Sequence, residues 1–199
     1  MKTKAPFICI LVFILLAGSI NVEAANLSAS SPLANEPWSK EYVDQYAEAD
    51  VGTHVSIAHH PKTGAAYVSY YDAKNKDLWM AHEVKPGTGN CPNNNDWKCI
   101  LVDSTGDVGK FSSIDVIYKT SPVISPSTRV GIAYYDETNR SLKYATIVLS
   151  VISPSPSWEI STVDETTSAT GSRGTYTSMK FNNDNNPVIG YHASSTAMP

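Results

Sequence analysis

The chain has 199 residues, 15 Lys plus Arg against 19 Asp plus Glu, and 42% apolar residues, enough for a buried core and unlike disordered or collagen-like compositions. Its formal net charge of −4, with no run of Lys or Arg, offers no electrostatic footprint for nucleic acid or an anionic membrane, and neither is expected as a partner.

At the N-terminus, Lys2 and Lys4 precede an apolar run from Pro6 to Ala17, and Val22-Glu23-Ala24 ends on a small residue. This pattern is that of a secretory signal occupying residues 1–24, followed by a linker over 25–37. The apolar run is about a dozen residues, short of the roughly 20 that a bilayer span needs. No later stretch is apolar enough to span, so no transmembrane segment is expected after signal removal and the address is secreted or periplasmic. In an oxidising compartment Cys91 and Cys99 are expected to pair as a disulfide. A metal site on the same two cysteines is the competing reading.

From Trp38 onward the chain repeats. Trp38, Val43 and Asp44 recur as Trp97, Val102 and Asp103, and again as Trp158, Val163 and Asp164, the tryptophans lying 59 and 61 residues apart. A turn with Gly52, Gly109 or Gly174 follows, and four residues after each glycine come Ser56-Ile57, Ser113-Ile114 and Ser178-Met179. Next are Val68-Ser-Tyr-Tyr-Asp72, Ile132-Ala-Tyr-Tyr-Asp136 and Ile189-Gly-Tyr-His-Ala193. Two copies continue to Leu78-Trp-Met-Ala81 and Leu142-Lys-Tyr-Ala145, and the third stops before that element.

Each unit therefore carries four short runs of β-branched and aromatic residues with near period-two alternation, separated by turn-forming clusters. The expected fold class is all-β, a β-propeller-type repeat of four-stranded antiparallel blades in an incomplete ring. About three blades are present, with repeats starting near 38, 97 and 158 and the last lacking its third strand. A β-sandwich is the alternative, but it gives no reason for the same residues to recur at matched offsets. In strand order the Ser-Ile run is innermost, the Tyr-Tyr-Asp run second, the Leu-x-x-Ala run third and the Trp run outermost, so the chain begins on an outer strand. Either further blades or self-association would be needed to close the ring.

The Asp-Val-Gly turns at Asp50-Val51-Gly52 and Asp107-Val108-Gly109, the Ser-Ile and Tyr-Tyr-Asp pairs and the Leu-Lys-Tyr-Ala tail resemble the blade repeats of secreted prokaryotic β-propellers, loosely of the sialidase-like and Asp-box kind. The resemblance runs from about Trp38 to the end. Its motif is degenerate: Phe111 falls two residues after Gly109 where a true Asp-box has its aromatic three after, and Ser172-Arg173 replaces Asp-Val before Gly174. It implies a fold and an extracellular address rather than an activity.

Residues recurring in every unit are expected to pack or to form turns: the tryptophans in the core, and Asp72, Asp136, Asp44, Asp103 and Asp164 as acceptors at turns and strand ends. In the functional reading Tyr71, Asp72, Tyr135 and Asp136 ring a shallow surface with Asp50 and Asp107, supplying aromatic planes and carboxylates for sugar. Non-recurring loop residues, Tyr46, Glu48, His54, Glu165, Arg173 and His192, are candidates for more specific contacts. The ligand-binding set is therefore Tyr71, Asp72, Tyr135, Asp136, Arg173 and His192.

No catalytic set is assigned. A sialidase-like route needs an arginine cluster, and of Arg129, Arg140 and Arg173 only the last is expected on the loop face. His59-His60 reads as a solvated turn. No cofactor is expected, although the Asn-rich segments 93–96 and 182–186 carry oxygen ligands of the kind calcium takes. Acceptor patterns for glycosylation occur at Asn26 and Asn139. The functional expectation is a secreted binding module for carbohydrate or a cell-surface component. The N-terminal part of a sialidase-like glycoside hydrolase and a non-catalytic scaffold are the alternatives.

Overall fold

The computed structural model describes residues 7–9, 38–44, 50–120, 125–150, 155–166 and 170–195. The expected linker, most of the expected signal segment, Tyr46, Glu48 and the Asn26 acceptor lie outside these residues. The described strands are β1 (Phe7–Cys9), β2 (Trp38–Lys40), β3 (Val51–His59), β4 (Ala66–Asp72), β5 (Asp77–Glu83), β6 (Trp97–Asp103), β7 (Val108–Lys119), β8 (Ser127–Asp136), β9 (Ser141–Ser150), β10 (Glu159–Asp164), β11 (Ser172–Phe181) and β12 (Pro187–Ser194). No helix occurs among the described residues, and none is therefore long and apolar enough to cross a membrane.

The strands form antiparallel sheets ordered as the repeats dictate. The first sheet runs β3-β4-β5-β6, the second β7-β8-β9-β10, and the third holds β11-β12. Each Trp run closes the sheet of the preceding unit, as β6 on β5 and β10 on β9. The Trp38 run departs from this. Its strand, β2, pairs in parallel with Phe7–Cys9 instead of lying on the edge of a four-stranded sheet.

The sheets stack in sequence, β7 lying against β3, β4 and β5, and β11 against β7, β8 and β9. Between the first two sheets lies a core of Leu78, Met80, Val102, Ile114, Val116, Val130, Ile132 and Tyr134, with Trp158 packed at its border. Met179 of the third sheet fills the same role against Ala133, Leu142 and Tyr144 of the second. Trp97 is buried in a separate cluster with Val43, Val68, Tyr70 and the cysteines, and its Nε1 donates to Glu41 Oε1 at 2.6 Å. Cys91 and Cys99 are joined, with Cα atoms 4.9 Å apart.

Polar contacts between sheets recur as faithfully as the apolar ones. The Ile114 N–H donates to Ser56 Oγ at 3.3 Å, and the Met179 N–H donates to Ser113 Oγ at 2.9 Å. The Tyr70 hydroxyl donates to Asp44 at 2.8 Å, Tyr134 to Asp103 at 2.7 Å, and Tyr191 to Asp164 at 2.5 Å. The aspartate closing each Trp run therefore ties that strand to the second strand of the next sheet, a longer reach than the local turn expected for it. The recurring glycine also has a sheet-to-sheet cause. A Cβ on Gly109 would stand 2.8 Å from the Leu78 Cβ, and one on Gly174 would stand 2.7 Å from the Leu142 Cα.

Candidate functional site

At one end of the stacked sheets, where β3, β7 and β11 begin, the same backbone device occurs three times. Gly52, Gly109 and Gly174 have φ of 97°, 113° and 103°, and two residues later His54, Phe111 and Tyr176 each have φ of 54°. The strand register slips across each of these stretches. A left-handed backbone costs a bulky side chain about 1–2 kcal/mol, so a threefold recurrence requires a compensating arrangement. That arrangement is a ladder of rings: His54 and Phe111 have centroids 4.6 Å apart, and Phe111 and Tyr176 4.7 Å apart. The bulge turns each ring along the stack, toward its neighbour on the next sheet.

Beside each rung stands the second tyrosine of the Tyr-Tyr pair or its replacement. His54 meets Tyr71 at 6.0 Å, Phe111 meets Tyr135 at 6.3 Å, and Tyr176 meets His192 at 6.2 Å. Tyr71 and Tyr135 do not ring an open surface. Both are buried under the inner strand of the following sheet and support the ladder from beneath. His192 is exposed, since no described strand covers it, and its Nδ1 lies 3.0 Å from Thr175 Oγ1. Tyr176, 63% exposed, and His54 are the exposed rings of the ladder, and Phe111 between them is half-buried.

Asp72 and Asp136 also lie inward. Asp72 accepts the N–H groups of Lys74 and Asn75 and the Asn75 side-chain amide, and Asp136 accepts the N–H and side-chain amide of Asn139. Both carboxylates are nearly fully buried and serve the turns. The amide nitrogen of Asn139, the glycosylation candidate, is engaged by Asp136 at 2.8 Å. Arg173 has its Nη1 on the carbonyls of Ser172 and Ser194 and its Nε 3.6 Å from Asp164. Arg129 stands apart on β8, over the Phe181 ring and bonded to Thr146 Oγ1, whereas the Arg173 N–H donates to the Arg140 carbonyl at 2.9 Å, so Arg129 does not join the other two arginines.

A charged group flanks the ladder between the first two sheets. Asp107 accepts the Tyr71 hydroxyl at 2.7 Å and Lys110 Nζ at 3.2 Å, and Lys110 also reaches Glu137 at 2.5 Å. Burial, with the Asp107 carboxylate second, raises the Tyr71 pKa far above the ordinary phenol value and keeps its proton in place. Burial lowers the His54 pKa, and the Lys110 charge adds to that, so protonation of this rung is disfavoured. The third sheet has Ser172 at the position of Asp107, so its stretch of the ladder lacks the carboxylate.

Two shallow hollows, of about 430 and 580 Å³, open at the opposite end of the sheets, one beside Lys119, Arg129 and Ser155 and the other beside Thr63, Glu83 and Trp97. His60 also lies at that end. It is buried rather than solvated, its Nδ1 accepting the Lys62 and Thr63 N–H groups and its Nε2 2.9 Å from Thr128 Oγ1. In the Asn-rich segments, Asn94 Oδ1 accepts the Asp96 N–H, and Asn182 Oδ1 accepts those of Asp184 and Asn186, so these oxygens serve their own turns.

Of the expected set, Tyr71, Tyr135 and His192 therefore meet the ladder, Asp72 and Asp136 form turns behind it, and Arg173 is held by backbone carbonyls. His54 is among the non-recurring candidates, whereas the rungs Phe111 and Tyr176 are not recognised from sequence as its equivalents. The signal is an aromatic ring two residues after each recurring glycine. It is hidden because the ring is His, Phe and Tyr in turn. No family model, curated protein or solved structure matches the chain.

Proposed function

We propose that the chain is a propeller-type binding module exported to an oxidising compartment, and that the ladder of His54, Phe111 and Tyr176 receives carbohydrate. The observation that carries this reading is the threefold strained bulge that lines up rings at one end of the sheets, with Tyr176 largely open. Sugar rings present flat apolar faces to aromatic planes and hydroxyls to carboxylates and amines, and Asp107, Lys110 and Glu137 stand beside the rungs. Export is supported by the joined cysteines and by the N-terminal signal pattern. In this reading the sheets are blades and the ladder runs along the rim on which their inner strands start.

The test is a glycan array probed with the chain, followed by titration of the best-bound oligosaccharide. Binding that falls about tenfold in Phe111→Ala and Tyr176→Ala, as loss of a stacked ring predicts, supports the assignment. Absence of binding to any glycan, or affinity unchanged in both variants, contradicts it.

A further inference from the structure

The stack of sheets ends on the third sheet, whose outer face is exposed, and on the first sheet, whose outer face is covered at β4 by Val43 and Asp44 but exposed along β3, and both ends have features of the junctions already formed inside the chain. At both internal junctions the face of the earlier sheet supplies a serine to the backbone and a small residue beneath the arriving strand. The serines are Ser56 and Ser113, and the small residues are Ser69 and Ala133, which have no exposure at all. On the third sheet the equivalents are Ser178 and Gly190, neither of them buried, with Val188 beside them 58% exposed. The Gly190 position has the open space such an approach needs, the nearest atom to a Cβ there being the Ser178 carbonyl oxygen at 3.9 Å.

The face of the later sheet at each junction is apolar. Ile114 and Met179 are each 1% exposed where they meet the sheet before them. Ile57 holds the same register position on β3, paired with Val68 as Ile114 is with Ile132 and Met179 with Ile189. Ile57 is nevertheless 46% exposed and Val55 50%. The ladder is open at both ends as well, at His54 on the first sheet and at Tyr176 on the third.

We propose that the first-sheet face of one copy of this chain docks on the third-sheet face of a second copy, reproducing the internal junction between chains. The occupant is a second copy because the chain itself carries both halves of the contact, and the contact continues an interface that it already makes twice. Ser178 Oγ of one copy meets the Ile57 N–H of the other, Val55 covers Gly190, and His54 stacks on Tyr176, so two ladders join into one. The interface is head-to-tail, with unlike faces in contact. It is argued from the sheet packing and not from the proposed sugar site, and it competes with sugar for Tyr176, because His54 of the second copy stacks on that ring.

The test measures the solution mass of the full chain by light scattering over a range of concentrations, with Ile57→Asp and Val188→Asp as variants at exposed positions. The expected result is a dimer or larger species for the unaltered chain and monomers for each variant, with unchanged dichroism spectra. Mixing the two variants should restore a two-chain species, because one keeps an intact third-sheet face and the other an intact first-sheet face. A monomer at every concentration, association that survives both substitutions, or no recovery on mixing would overturn the proposal.

Discussion

At the scale of single residues the most consequential arrangement is around Lys143, a buried ammonium 2.5 Å from Asp103 and 3.9 Å from Asp136. Asp103 also accepts the Tyr134 hydroxyl and the Thr105 N–H. Burial pushes the Asp103 pKa up, but the bonds from Lys143 and Tyr134 outweigh it and leave the group below its ordinary value. A depressed carboxylate pKa contributes stability that is fully present above the unfolded value and is lost as the pH falls through the folded one. Asp103→Asn should therefore cost about 3 kcal/mol near neutrality, by leaving the buried Lys143 charge with only the more distant Asp136 carboxylate at 3.9 Å, and should flatten the loss of urea-midpoint stability below about pH 4. An Asp103→Asn variant as stable as the original at pH 7 would contradict the pairing. Burial, then Lys62, lowers the His60 pKa, so its contribution is complete above 6.5 and is lost as the pH falls from there toward the lowered value. Trp97→Ala, which empties a site only 1% exposed, should cost about 3 kcal/mol or more in a denaturant titration, and an unchanged midpoint would remove Trp97 from the core.

At the scale of elements, the strand pattern is legible in the sequence because the pattern residues do local work. Val-Ser-Tyr-Tyr-Asp and Leu-x-x-Ala send successive side chains to the two faces of a sheet, and Asp72 and Asp136 cap turns through their own near neighbours. The role of Ser56, Asp44 and Gly109 is hidden because each acts on another sheet: a serine on the amide of Ile114, an aspartate on Tyr70, a glycine against Leu78. Recurrence marks them as structural but does not reveal their partners. The glycine role predicts a measurable difference. Gly64 has φ of 77° with nothing within 4 Å of a Cβ, so Gly64→Ala pays only for backbone strain, about 1 kcal/mol, whereas Gly109→Ala also meets Leu78 and should cost at least about twice as much. Equal thermal shifts in the two variants would show that the close approach to Leu78 is relieved cheaply. Reduction of Cys91–Cys99, which closes a loop with a sequence separation of only 8, should lower stability by about 2 kcal/mol. Two free thiols in protein oxidised during export would contradict the bridge.

At the scale of the whole molecule, the recurring residues divide into those that join the sheets and those that the joining exposes. Inward side chains, the Tyr–Asp ties and the serine-to-amide bonds account for most of the stacking, and the bulge after each glycine adds a ring of one sheet against a ring of the next. This division explains why the candidate site is only half visible in the sequence. Tyr71 and Tyr135 stand out because they repeat as letters, while the rings above them change identity from sheet to sheet. It also separates the ladder end of the molecule from the end holding the two hollows and His60. The most direct measurement is the mapping of amide chemical-shift changes on adding the oligosaccharide selected from the array. Recognition by the ladder predicts changes concentrated at His54, Phe111, Tyr176 and His192 and the adjoining Asp107 to Lys110 turn. Changes centred instead on Lys119 and Arg129, or on Thr63 and Glu83, would place recognition at the opposite end of the sheets and contradict the ladder as the binding surface.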